Sequence, residues 1–174
     1  MIGSNRRAFS LIEVLAVITI ISMVVAAAGL RWSILYERAV FQTAVERIID
    51  EEARARKYVE QSRHSGWIWF DCPNSSLTSF RLVSGKETQN RYRLPQSVTL
   101  AGVYTLNGFQ SDFNQKIFIN YPSATPTYAI QLVSNEQSQW ILFAGISGQP
   151  QLLNHEKEVS KIFASLKTQG VNTY

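Results

Sequence analysis

A single carboxylate near the start of a long apolar run constrains this chain more than any other feature. Residues 9–30 begin Phe9-Ser10-Leu11-Ile12-Glu13 and continue with apolar or small uncharged residues only. As a helix rising ~1.5 Å per residue the stretch reaches ~33 Å, enough to cross a hydrocarbon core ~30 Å thick. Arg6 and Arg7 stand just before it. By the positive-inside rule they stay cytoplasmic, and everything after Leu30 is exported. Glu13 is the anomaly, because a carboxylate in lipid is costly unless it is protonated or meets a cation.

The segment Ala8-Phe9-Ser10-Leu11-Ile12-Glu13 resembles the class III signal of type IV pilins and type II secretion pseudopilins. That resemblance implies cleavage by a membrane prepilin peptidase between Ala8 and Phe9, followed by N-methylation of the new Phe9 amine. Glu13 becomes the fifth mature residue, and in a filament it faces the positive terminal amine of a neighbouring subunit. The family usually has Gly before the cut, where this chain has Ala8, also small. Three other readings of the same residues stay open. Ala26-Ala27-Ala28 before Gly29 offers an ordinary secretory cleavage site, Arg6-Arg7-Ala8-Phe9 faintly resembles a twin-arginine signal, and an uncut anchor needs no processing at all.

Beyond Leu30 the chain is long enough for one ordinary domain with an attached helix. The lone Cys72 excludes an intramolecular disulfide, so the exported part is held by packing or by a bound ion. Cys72 itself reads as a buried apolar residue. The formal charge of +4 is halved once Arg6 and Arg7 leave with the leader, too little to demand a polyanionic partner. Residues 31–63 contain neither Pro nor Gly, and Phe41, Val45, Ile48, Ala55 and Val59 recur at helical spacing with Ile49 and Ala53 alongside. Arg38, Glu46, Arg47, Asp50, Glu51, Arg54 and Lys57 read as a solvated face laced with ion pairs. One continuous helix is expected, its first half in the membrane and its second half packed under a separate head.

After Gly66 the period changes to two and aromatic and β-branched residues dominate. Strands are predicted at 67–71, 79–84, 98–101, 116–121, 127–134, 139–144 and 149–153, with hairpin connections at 135–138 and 145–148 and a stiff loop at 122–126. Loops at 72–78, 85–91 and 102–113 are polar and turn-rich, and specificity is expected on one of them. Val159, Ile162, Phe163 and Leu166 suggest a short amphipathic helix in the tail. The expected class is α+β: a long N-terminal helix packed against an antiparallel β-sheet head. Its parts are a leader at 1–8, a transmembrane half at 9–30, a periplasmic amphipathic half at 31–65, a β head at 66–153 and a tail at 154–174.

Gly66-Trp67, the aromatic strand ending at Asp71, Leu94-Pro95-Gln96-Ser97-Val98 and Ile117-Phe118-Ile119-Asn120-Tyr121-Pro122 are together similar to the H-type minor pseudopilin and FimT group. The resemblance implies a structural subunit of a periplasmic pseudopilus in type II secretion, or else a FimT-like minor pilin used in pilus assembly or DNA uptake. It implies a single-pass inner-membrane protein with a periplasmic head. Its partners would be other pilins or pseudopilins, the prepilin peptidase and an inner-membrane assembly platform.

No catalytic residue, cofactor or metal is expected. His64 and His155 lie far apart, neither in metal-ligand spacing, and no glycine-rich phosphate loop occurs. DNA binding in FimT-like proteins is attributed to a C-terminal Gly-Arg-x-Arg turn, which here reads Gly148-Gln149-Pro150-Gln151. A different basic and aromatic patch is conceivable from Arg54, Arg56, Lys57, Arg63 and His64 beside Trp67 and Trp69.

Overall fold

The structure is a computed structural model that describes residues 11–83, 86–111, 114–122, 124–135, 137–145 and 147–168. The expected leader, residues 1–8, and Ala8 and Phe9 at the expected cleavage site lie outside that range. Two compact units divide the chain, Met1–Ala39 and Val40–Tyr174.

Helix α1 spans Leu11–Ser62. Its N-terminal part is long and apolar enough to cross a membrane, and Leu11, Ile12, Leu15, Ile21 and Val25 are exposed there. The hydroxyls of Thr19 and Ser22 each donate to the carbonyl four residues back, Leu15 and Ile18, at 2.8 Å. Those two hydroxyls are thereby satisfied within the helix, as a hydrocarbon environment requires. Arg31, Trp32 and Tyr36 follow, all exposed. Such residue types favour the boundary between membrane and water. The helix ends where Arg63 adopts a left-handed φ of 58° and its N–H bonds the Val59 carbonyl at 2.9 Å.

Among the described residues of the second unit nine strands follow: β1 Gly66–Asp71, β2 Ser76–Val83, β3 Lys86–Arg93, β4 Thr99–Thr105, β5 Gly108–Gln110, β6 Asn114–Ile119, β7 Tyr128–Val133, β8 Ser138–Phe143 and β9 Pro150–Leu153. Helix α2, Glu156–Thr168, closes the described chain. The strands form two antiparallel sheets, one ordered β3-β2-β1-β6 and the other β5-β4-β7-β8-β9. The expected class holds, but several stretches read as loop are strand: residues 76–78 belong to β2 and 102–105 to β4, and two further stretches form strands of their own. Residues 86–91, read as a polar loop, belong to strand β3, which pairs with β2 along its whole length from Ser76↔Arg93 to Val83↔Lys86. Residues 108–110, read within another loop, form the short β5 on the edge of the second sheet. Edge strands need only one face and one partner, so their sequences carry little apolar alternation. Residue 84 of the expected strand 79–84, and residues 85 and 112–113 of those two loops, lie outside the described set.

One core joins Phe41, Ala44, Val45, Ile48, Ala55 and Val59 of α1 to Ile68, Phe70, Leu77, Ile117 and Ile119 of the first sheet and Leu100, Val103, Tyr128, Ile130, Leu132, Ile141 and Phe143 of the second. The register of β4 against β7 slips between Leu100 and Gly102, a bulge that turns Val103 inward beside Leu100. The other face of the second sheet is apolar too. Ala129, Trp140 and Leu142 pack there against Val159 and Phe163 of α2. A strand buried on both faces reads as a continuous apolar run, which is why Trp140-Ile141-Leu142-Phe143 shows no alternation. Tyr104 meets Phe163 with ring centroids 4.9 Å apart and Trp140 at 6.2 Å, completing that outer cluster.

Phe163→Ala is expected to lower unfolding stability by about 3 kcal/mol, since it empties the only fully buried aromatic that α2 contributes among the described residues. Lys161→Ala, two residues away on the same helix and exposed, is expected to change it by less than about 0.5 kcal/mol. Urea unfolding of the detergent-solubilised protein, followed by tryptophan fluorescence, checks both.

Candidate assembly site

Ala8 and Phe9, where processing is expected, lie outside the described residues. Glu13 lies in the first described turn of α1 and is exposed, among the exposed Leu11, Ile12, Val14 and Val17. A carboxylate on an apolar helix surface can do one thing well: hold a cation in a medium where the pair is not screened by water. Cys72, by contrast, is buried, as expected of an apolar residue. His64 is exposed and its Nδ1 lies 2.7 Å from the Ser62 carbonyl, while His155 starts the turn into α2. Among the described residues no group of three His, Cys, Asp or Glu is placed to hold a metal.

The head is joined to its helix by charges that a reading of periodicity misses. Glu51 and Glu52 are each 1 % exposed. Being adjacent on α1, they point to different partners. Glu51 accepts from Asn90 Nδ2 of β3 at 2.8 Å and pairs with Arg47 at 3.3 Å and Arg54 at 3.4 Å. The reading of Glu51 as part of a solvated face is therefore wrong; its two arginines are at the surface, and the carboxylate is not. Arg47 also lies over the Tyr92 ring, 5.7 Å from its centroid. Burial raises the pKa of Tyr92 above the usual phenol range; the Arg47 charge lowers it and the Glu51 charge raises it.

Glu52 faces the second sheet. Its Oε1 accepts from Arg56 Nε and, at 3.3 Å, from the hydroxyl of the fully buried Tyr128. Arg56 in turn donates from Nη2 to Thr125 Oγ1 at 2.6 Å and from Nη1 to the Gly145 carbonyl at 3.1 Å. Thr125 N–H and its hydroxyl reach that same carbonyl, at 3.0 and 3.4 Å, and Gly145 N–H returns a bond to Thr127 Oγ1 at 3.0 Å. Glycine is required at 145, because a Cβ would collide with the Thr125 carbonyl. At 148 the backbone has a φ of +62°, and a Cβ would sit 3.0 Å from Arg56 Cδ. Burial pushes the Glu52 carboxyl above its ordinary range, with the Arg56 charge and hydrogen bonds from Arg56 and Tyr128 working against it. Burial, followed by the Glu52 charge, holds Tyr128 well above the usual phenol range, so it stays a donor.

This network corrects the conceivable basic patch. Arg56 is 8 % exposed with its guanidinium engaged inside the head, and Arg54 is paired with Glu51. Arg54, Lys57, Arg63 and His64 of that set stay on the surface, Arg54 with its charge paired. A signal for the clamp does exist in the sequence. The apolar stripe Phe41, Val45, Ile48, Ala55, Val59 passes through positions 52 and 56, where it carries Glu and Arg at i, i+4. Charges of opposite sign on a stripe that must be buried mark a buried pair.

Arg56→Met is expected to cost about 3–5 kcal/mol at neutral pH, because it strands the Glu52 carboxylate in the core. A raised carboxyl pKa stabilises the fold when the group is protonated and loses that contribution as pH rises through the shifted value. The loss caused by Arg56→Met is therefore expected to shrink as pH falls toward the ordinary carboxyl range. Thermal unfolding of both proteins across a pH series reads this directly.

The family described as the prokaryotic N-terminal methylation motif matches residues 3–29. No curated protein sequence matches the chain. Among solved structures, one of the minor pseudopilin EpsH from the type 2 secretion system of Vibrio cholerae superposes with a TM-score of 0.51 at 11 % identity, covering 65 % of this chain and 95 % of that one. A second structure of the same EpsH pseudopilin gives 0.50 at 14 % identity, over 64 % and 90 %. At such identities the likeness speaks for the fold, and the N-terminal motif is an independent match. The chain thus carries a prokaryotic N-terminal methylation motif at the start of a long apolar helix, and its antiparallel sheets have the fold seen in a minor pseudopilin.

Proposed function

We propose that the protein is a minor pseudopilin, a structural subunit of the periplasmic pseudopilus of a type II secretion system. The observation that carries the reading is a fold that covers 95 % of a solved EpsH chain, together with the methylation motif at residues 3–29. Arg6 and Arg7 keep the leader cytoplasmic and place the head in the periplasm. Prepilin peptidase cuts between Ala8 and Phe9 and the Phe9 amine is methylated. On the inner-membrane assembly platform the subunit joins other pseudopilins through the apolar part of α1. Glu13 pairs there with the terminal amine of a neighbour, and register is selected because a mispaired carboxylate stays costly in lipid. The subunit acts by assembly and not by catalysis. A FimT-like pilus subunit would be processed in the same way; Arg56, one of the basic residues suited to a nucleic-acid role, is instead held inside the head.

Intact mass and N-terminal sequencing of the membrane-extracted protein are expected to give a terminus at Phe9 carrying one extra methyl group. A terminus at Gly29 or Met1 would remove the filament reading. Glu13→Gln is expected to leave the head folded by circular dichroism while its recovery in sheared filaments falls about tenfold or more, the equivalent of ~1.4 kcal/mol of lost pairing. Normal recovery would count against the register role.

A further inference from the structure

The outward face of the four-stranded sheet carries a surface that filament assembly through α1 does not use. In β1 the side chains alternate: Gly66, Ile68 and Phe70 are buried, while Trp67 and Trp69 are not. Residues directly opposite one another in an antiparallel sheet share a face. The pairings Trp67↔Phe118 and Trp69↔Lys116 therefore put two residues of β6 beside the tryptophans. On the other side, Trp69↔Thr78 and Thr78↔Arg91 bring in Arg91, and Asp71↔Ser76 with Ser76↔Arg93 bring in Arg93. One sheet face thus holds Trp67, Trp69 and Phe118 between Arg91 and Arg93 at one edge and Lys116 at the other.

Trp69 is 38 % exposed and Phe118 53 %. Large aromatics at this exposure, gathered on one face, mark a contact surface. Lys116 Nζ lies 4.1 Å from the Trp67 centroid and 5.4 Å from that of Phe118, so the cation already sits on the rings. Two acidic residues share the face against Arg91, Arg93 and Lys116: Glu87, placed there by the pairing Leu82↔Glu87, and Asp71, which lies 3.7 Å from Arg91 Nη2, itself a donor to Ser76 Oγ at 3.3 Å. The face keeps a net positive charge. A second copy of the same face would bring like charges together, which disfavours self-pairing.

We infer that this face binds single-stranded nucleic acid, bases stacking on Trp69, Trp67 and Phe118 and phosphates meeting Arg91, Arg93 and Lys116. Trp67 and Trp69 are two residues apart, ~7 Å along the strand. That spacing seats neighbouring bases of an extended strand, whereas the paired bases of a duplex keep their faces to themselves. Arg91 and Lys116 are separated by three strand spacings, ~14 Å, and flank the rings so that the backbone of a strand crossing the sheet meets a cation on either side. Aromatic platforms with flanking cations are how sheets hold single strands. The surface is separate from the turn Gly148-Gln149-Pro150-Gln151, which has no cation. It also involves neither the cleavage site nor Glu13, so the inference stands apart from the assembly role.

Full-length protein in nonionic detergent is titrated into a fluorescein-labelled oligothymidylate of about twelve nucleotides, within the usual range of site sizes. Saturable binding is expected that weakens with salt and is about tenfold tighter than binding to a duplex of equal length. Trp69→Ala is expected to weaken it about tenfold and Trp69→Phe to keep most of it, with unchanged circular dichroism, while Lys116→Gln lowers the salt slope by ~0.7. No anisotropy change at low salt overturns the inference. So does equal affinity for duplex, indifference to Trp69→Ala, or tighter binding of poly-glutamate, which would assign the face to an acidic protein partner. Any of these leaves filament recovery of the wild-type protein, and so the assembly reading, untouched.

Discussion

The head depends on how helix α1 is buried between two sheets that share no strand. Apolar contacts alone would let the helix slide or turn about its axis, because Leu, Ile and Val packing is weakly directional. The adjacent carboxylates Glu51 and Glu52 remove that freedom. One is bonded to Asn90 on the first sheet, and the other reaches Tyr128 on the second and, through Arg56, the turn at Gly145. Neighbouring residues on a helix point about 100° apart. Two buried charges at that angle, each tied to a different sheet, set the rotation of the helix as three-point fixation would. Such pairs are weak contributors to net stability and strong contributors to uniqueness, since every alternative packing leaves a charge unpaired in the core.

The elements that depend on local periodicity were legible in the sequence. The long helix, the apolar stripe from Phe41 to Val59, the aromatic strand β1 and the runs that became β7 and β8 all announce themselves. Strand β3 did not. Lys86-Glu87-Thr88-Gln89-Asn90-Arg91 is polar throughout, and only the pairing with β2 makes it a strand. Glu51 was misjudged for a related reason, and Glu52 was not singled out at all. Charge at helical spacing usually means solvent, and the partners that reverse that rule lie on strands and turns far along the chain.

Two sequence features changed meaning once the register was known. Arg56, grouped with surface cations by proximity in sequence, is an internal ligand of the Gly145 turn. Trp67 and Trp69, grouped with those same cations, keep different company: Lys116 lies over the Trp67 ring, and the register puts Arg91 and Arg93 on the same face of the sheet from a segment remote in the chain. At the N-terminus the reverse holds. There the meaning of Glu13 comes from a short motif and the physics of a charge in lipid, and no tertiary contact is needed to notice it.

Helix α2 covers the outer face of the five-stranded sheet, where Ala129, Trp140 and Leu142 are buried by Val159 and Phe163. Because α2 is the last described element, chain order gives this arrangement a temporal side. A chain emerging from its N-terminus can complete the pairing of β7 with β8 before the residues that shield them have arrived. During that interval the apolar outer side of the sheet is bare, at the stage when unfinished domains are most prone to stick together. The tail then acts as a closing step: until Val159 and Phe163 dock, the head is paired but not yet waterproof, and a premature stop would leave every molecule in that sticky state.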